Sequence, residues 1–539
     1  MKLVLLSSLE KIMRYEAPAC KGFRGFSMLN NEKKSFQLYM EANCDTVSLE
    51  IKTDLDCIHA YTVEYIPSKF AINEKTADDY VIRSKDGYYP DLLLPVDGDI
   101  RLENGKKTLW FEIEPKDTLS EGEHIIELIV SNGEEKATVS LAVEVIGCSL
   151  EKQSLIFTNW FHTDCLMDEY GVSAFSDEYW RIVESYLKTA VRHGMNCVLT
   201  PLFTPPLDTQ VFGERPTVQL VDVAVNKGKY TFHFDKLLKW FDMAHACGIE
   251  YFELSHFFTQ WGAKHAPKIV ATVNGKTKKI FGWKTLATSK KYRDFLTQFS
   301  AELKALLERL GLKDKVFIHV SDEPNKSTYL TYVPASRLIH KLFDGYKIVD
   351  ALSEYKFYEN GIVTNPIVNN YSIKDFIGKV PELWTYYCTG QDHDYVSNRY
   401  FSIPSIRNRV LGYQLYKFNA KGFLHWGFNF WYTRFSRKKI NPYEVTDAGG
   451  NFQSGDSFVV YPKSDGTPLC SLRLKVFYDA FQDMMALQTL ERLAGRDTAM
   501  AVLEQGLEKE LTFSEYPHSE EWLLETRERI NKAIKANLK

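Results

Sequence analysis

A chain of 539 residues is too long for one ordinary hydrophobic core, so two or more domains are expected. Its 45% hydrophobic and 25% charged content is that of a globular protein, and a net charge of −4 supplies no basic field for nucleic acid or an anionic membrane. No window approaches the roughly 18 apolar residues of a membrane span.

The amino-terminal MKLVLLSSLEK imitates a leader peptide only weakly, because Glu10 and Lys11 follow its short apolar run. Nine cysteines are dispersed without a CxxC pair, which argues against a disulfide framework or a structural zinc site and leads to an expected cytoplasmic location. Up to residue 148 the sequence alternates with period two: FQLYM from 36, VSLEIKT from 47, YTVEYI from 61, LWFEIEP from 109, HIIELIVS from 124 and ATVSLAVEVIG from 137. Turn pairs such as Asp97-Gly98, Asn104-Gly105 and Asn132-Gly133 separate these runs, and the pattern predicts an antiparallel β-sandwich over 1–148.

Beyond Ile146-Gly147 the period changes. Ser176 can cap a helix in which Trp180, Val183, Leu187 and Ala190 share a face, and Gly194 ends it before NCVLTPLF. The same succession of helix, glycine and short branched strand returns before IEYFELS, VFIHVS and YKIVDALS. With SLIFTNW, IVTNPIV, LWTYYC and GFLHWGFNFW it makes about eight strands, which predicts a (β/α)₈ barrel of TIM type over 149–495. A doubly wound sheet is the alternative, but neither GxGxxG nor a P-loop is present. Residues 496–539 form a helical extension, and the Gly- and Asp-rich stretch from Tyr432 to Cys470 is long enough to be functional.

Chemistry concentrates at VFIHVSDEP, residues 316–324. A buried strand halts at two adjacent acids, Asp322 and Glu323, followed by Pro324. The C-terminal end of a barrel strand is where catalytic groups stand, although Asp322 could instead cap the next helix. His319 shares parity with Glu323 and can lie beneath it, or serve only as a structural histidine. Trp384, Tyr386 and Cys388 share one strand face, and Trp426, Asn429 and Trp431 cluster at another strand end; flat aromatics and amides suit sugars, but for any one ring, filling the barrel interior or the helix layer is the favoured reading. Neighbouring acids cannot easily flank a glycosidic bond at the usual separation of roughly 5 Å or more. They can stand on one side of it if the substrate's own 2-acetamido group is the nucleophile.

NEKKSFQLYM, YYPDLLLP, APKIVATVNGKTKKIFGW, HVSDEP, LWTYYC, GFLHWGFNFW and SLRLKVFYDAFQDMMAL together resemble glycoside hydrolase family 123, in the family's order and over nearly the whole chain. The resemblance implies a retaining β-N-acetylgalactosaminidase working by substrate assistance without metal or organic cofactor. Asp322 would then orient the acetamido group and Glu323 would be general acid and base. Tyr386, Trp426 and Asn429 fall on substrate-binding positions of the family, while Trp384 and His319 are added as candidates from the strand pattern. The expected partner is an oligosaccharide or glycoside, with neither nucleic acid nor membrane. A glycosidase of other sugar specificity and a non-catalytic glycan-binding barrel remain open, and the oligomeric state is not encoded in any motif.

Overall fold

The computed structural model describes residues 1–19 and 23–538. Two five-stranded sheets precede a closed barrel. The first orders Lys2–Ser7, Lys34–Glu41, Lys106–Ile113, Ile58–Ser68 and Gly87–Pro95; the second orders Gly25–Leu29, Lys136–Ile146, Gly122–Ser131, Thr46–Lys52 and Ile100–Arg101. Phe36, Leu38 and Phe111 of the first sheet and Met28, Leu128 and Val143 of the second belong to one buried cluster, with Phe36 stacked on Phe111 at 4.9 Å. The apolar amino-terminal run is thus a strand, paired with Lys34–Glu41.

The expectation of wholly antiparallel sheets is corrected at one point, where Gly25–Leu29 runs parallel to Lys136–Ile146. Leaving the first sheet, the chain joins the second at an edge in the same direction as its neighbour. Gly25 permits the contact, since a Cβ there would lie 2.5 Å from the Ala142 carbonyl oxygen.

The barrel strands are β1 (Ile156–Asn159), β2 (Cys197–Thr200), β3 (Tyr251–Leu254), β4 (Val316–His319), β5 (Lys347–Leu352), β6 (Asn365–Asn369), β7 (Trp384–Tyr386) and β8 (Gly422–His425). All are parallel, and β8 closes on β1. Helices Asp177–Arg192, Asp235–Cys247, Lys290–Arg309 and Tyr329–Leu342 follow the first four strands in turn. Ser176 caps the first by accepting the Tyr179 N–H, as its sequence predicts. The alternation weakens afterwards. β5 is followed by the five-residue helix Tyr355–Glu359 and β6 only by a 3₁₀ turn at Ile373–Asp375, because these connections are too short for a full helix. The carboxy-terminal segment packs on the end of the helix Leu411–Lys417, which precedes β8, with Phe513 stacked on Phe418 at 5.2 Å.

Inside the barrel Trp160, Leu199, Phe317, Val349, Ile367, Trp384 and Leu424 form a plug. Gly422 on β8 makes room for the Trp384 indole on β7, since a Cβ there would fall 2.1 Å from the ring. The long helix Leu472–Ala494 joins sheets to barrel through buried ion pairs: Arg473 grips Asp91 at 2.7 and 3.0 Å, and Lys475 meets Glu112 at 2.6 Å. Asp483 receives both Arg409 and Arg527, and Arg527 continues to Glu32. Among the described residues no helix is long and apolar enough to cross a membrane.

Candidate active site

β4 ends at His319, three residues before Asp322, so the two acids stand on the loop above the strand rather than on it. That loop is pinned from below. The Asp350 carboxylate on β5 accepts the Val320 N–H at 3.2 Å and the Ser321 N–H at 3.3 Å, and the Ser321 hydroxyl donates to the Thr259 carbonyl at 2.7 Å. Glu323 is held at φ 42°, a left-handed conformation that a non-glycine residue adopts only when its surroundings impose it. The helix that follows is capped by Asn325, which accepts the Ser327 N–H, so Asp322 is released from the capping role that the sequence allowed it.

Both acids line a cavity of about 300 Å³ at the C-terminal mouth of the barrel, within the range of small-ligand sites. Gln260, on the loop after β3, donates to Asp322 Oδ2 at 2.7 Å. The Tyr386 hydroxyl donates to Glu323 Oε1 at 2.5 Å. Burial raises Asp322 well above the ordinary carboxylate range, the Glu323 charge adds to this, and Gln260 works against it. Burial also raises Glu323, while Tyr386 works against it. Two adjacent acids raised together titrate as a pair and retain a proton to higher pH than either would alone.

The remaining candidates divide. Tyr386 and Trp426 line the cavity; Trp384, Asn429 and His319 are not among its lining residues. Trp426 lies just past the end of β8 and donates through Nε1 to buried Asp456 Oδ2 at 2.8 Å. Trp384 packs edge-on against Phe317 at 5.1 Å in the plug. Asn429 is fully buried and secures the backbone of His162, accepting its N–H at 2.9 Å and donating to its carbonyl at 3.0 Å. His162, held in this way, does line the cavity. It is neutral, because burial and then the neighbouring Arg215 push it down to about 3.

His319 sits under the loop between two carboxylates, Glu253 at 2.5 Å and Asp350 at 3.1 Å. Burial alone would discharge it, but Glu253 and Asp350 raise it to about 10, so it is an imidazolium. His256, His319 and Asp350 form the one group with metal-ligand spacing among the described residues. Both His319 nitrogens are already committed to carboxylates, leaving no lone pair for a metal, so the donor set does not fit one.

Several cavity residues escaped the sequence reading: Trp160, His162, Asp208, Gln260, Trp261, Arg434 and Phe452. All lie on segments that follow barrel strands, and that position was the available signal. Asp208 links three of these segments. Its N–H donates to Gln260 Oε1, its carboxylate accepts the Phe435 N–H at 2.7 Å, and its carbonyl accepts the Ser436 hydroxyl at 2.6 Å. Burial pushes its carboxyl up to about 6. The long stretch after β8 therefore reaches the site, contributing Arg434, Phe452 and Asp456.

The signature of the glycoside hydrolase 123 catalytic domain matches residues 160–490. The fold is similar to that of a family 123 glycoside hydrolase from Clostridium perfringens, described for glycolipid glycan hydrolysis, at 15% identity and a TM-score of 0.74 over 99% of this chain and 98% of that one. A β-glucuronidase from Parabacteroides merdae (13% identity, TM-score 0.31, 84% of this chain and 50% of that one) and a putative β-galactosidase from Bacteroides fragilis (10%, 0.33, 84% and 59%) superpose far less closely. No curated protein matches the chain. With the family's catalytic-domain signature spanning more than half of its length, the chain belongs to glycoside hydrolase family 123.

Proposed function

We propose that this glycoside hydrolase removes terminal β-linked N-acetylgalactosamine, or a related 2-acetamido sugar, by substrate-assisted retaining hydrolysis. The observation that carries the reading is the pairing of Asp322 and Glu323 in one cavity under different donors, Gln260 for the first and Tyr386 for the second. Gln260 occupies one Asp322 oxygen, and the other is available to accept the acetamido N–H. As that N–H arrives, the proton shared by the pair moves to Glu323. Glu323 delivers it to the glycosidic oxygen while the acetamido oxygen attacks C1 and Asp322 takes the N–H proton, giving an oxazoline and the free alcohol. The Glu323 carboxylate then takes a proton from water, which opens the oxazoline at C1 with net retention, as Asp322 returns its proton to the nitrogen. The Trp426 indole offers a sugar-stacking face, braced by Asp456. The reading takes residues 1–148 as a β-sandwich, 149–495 as a (β/α)₈ catalytic barrel and 496–539 as a helical extension, and sets the enzyme in the cytoplasm acting on imported oligosaccharides.

One observation favours a second reading. Asp208 also lines the cavity, and a third carboxyl could act as the base or nucleophile of an ordinary two-carboxylate glycosidase. Its engagement by the Phe435 N–H and its place as a tie between loops speak for a structural role. A panel of aryl β-glycosides in galacto and gluco series, with 2-acetamido or 2-hydroxyl groups, decides between them. Substrate assistance requires the 2-hydroxyl sugars to be nearly inert. Rapid turnover of a plain β-galactoside, abolished by Asp208→Asn, would replace it with the two-carboxylate mechanism.

A further inference from the structure

The cavity is electrostatically divided. Among its lining residues Asp322 and Asp208 are buried and Glu323 is half-buried, whereas Arg434 is the single Lys or Arg and is exposed. Arg434 comes from the 3₁₀ turn Arg434–Ser436, in which Phe435 and Ser436 are held at φ 63° and 52°. Backbone bonds to Asp208 and Gln210 fix this turn. The Arg434 guanidinium lies 4.7 Å from the Phe435 ring centre, and Arg437 lies 5.2 Å from the same ring. Arg437 donates to Gln210 Oε1 at 2.9 Å, while the Arg434 guanidinium has neither an ion pair nor a hydrogen bond among the described residues. Asp208 feels both cations, but its carboxylate is committed to the Phe435 N–H. Trp261, 40% exposed, also lines the cavity, with its ring edge-on to Phe435 at 5.8 Å.

This inference rests on the proposed function: the terminal sugar occupies the depth, and the group leaving with the Glu323 proton faces the mouth. We infer that the leaving group is an anionic sugar, carrying a carboxylate or a sulfate, stacked on Trp261 and paired with Arg434. A planar guanidinium held against an aromatic ring is preorganised for a two-oxygen anion. The Asp322–Glu323 pair repels the same anion, so it is sorted to the mouth and the neutral acetamido sugar to the depth.

The test compares kcat/KM for β-N-acetylgalactosaminyl disaccharides whose leaving sugar is glucuronic acid, glucose 6-sulfate or glucose, with the 4-nitrophenyl glycoside as reference. The wild type is expected to favour at least one anionic partner over glucose by about 3- to 10-fold, the scale of a partly exposed ion pair. Which anionic substrate leads distinguishes carboxylate from sulfate. The preference should shrink as salt rises, fall to near unity in Arg434→Gln, and survive in part in Arg434→Lys. A wild-type ratio near one, a ratio unmoved by Arg434→Gln, or cleavage of the aryl glycoside with none of the disaccharides would overturn the inference. Failure on the aryl glycoside as well would instead remove the proposed function, and this inference with it.

Discussion

Tyr386→Phe isolates the control of the general acid. The substitution removes one oxygen, the donor 2.5 Å from Glu323 Oε1, and leaves the ring in the barrel plug. A hydrogen bond to a charged group contributes ~1.5–3 kcal/mol. The neutral acid keeps part of that interaction, so about 1.4 kcal/mol, or roughly one pKa unit, separates the two protonation states. The sign follows from the donor. Tyr386 stabilises the carboxylate and opposes the rise caused by burial, so its loss lets Glu323 rise further. Cleavage of the glycosidic bond needs Glu323 protonated, and the basic limb of kcat/KM should therefore move up by about one unit. Opening of the oxazoline needs the carboxylate, so turnover of a substrate with a good leaving group should fall near neutral pH. Paired pH profiles on an aryl β-N-acetylgalactosaminide read both effects. A basic limb that stays in place or moves down would refute the assignment of Glu323 and its bond to Tyr386.

Gln260→Ala removes the donor to Asp322 Oδ2 and should lower kcat/KM roughly 10- to 100-fold; wild-type rates would dismiss Gln260 as a positioning residue. Asp91→Ala leaves Arg473 buried without its carboxylate and should cost about 3–5 kcal/mol in urea unfolding, whereas a loss under 1 kcal/mol would show the ion pair to be dispensable. Gly422→Ala drives a methyl into the Trp384 ring and should destabilise the barrel by about 1–3 kcal/mol, seen as a lower Tm, and an unchanged Tm would contradict the packing described.

The eight barrel strands were legible because each lies in a short run rich in branched or aromatic residues, several of them following a helix-ending glycine. The Asp322-Glu323 pair was legible because two acids interrupt such a run. The fate of the aromatics was not, since it depends on neighbours distant in sequence: Trp384 fits the interior only because β8 offers Gly422 beside it. Asn429 is taken by the backbone of His162, 267 residues away. His319 looked isolated because its carboxylates, Glu253 and Asp350, come from the strands on either side of it. Asp208 and Gln260 lie on loops, where hydrophobic periodicity stops and only three-dimensional proximity reveals a partner. The parallel strand Gly25–Leu29 likewise depends on a close approach that Gly25 allows and its surrounding pattern does not announce.

The central claim is that the acetamido oxygen of the substrate attacks C1 above Asp322. It is tested most directly by kcat/KM across aryl β-galactosaminides bearing N-acetyl, N-fluoroacetyl, N-difluoroacetyl and N-trifluoroacetyl groups. Their carbonyl oxygens become progressively poorer nucleophiles with little change in size. Substrate assistance predicts a steep, monotonic fall across the series, and a flat series would contradict it by assigning the attack on C1 to a protein carboxylate or to water.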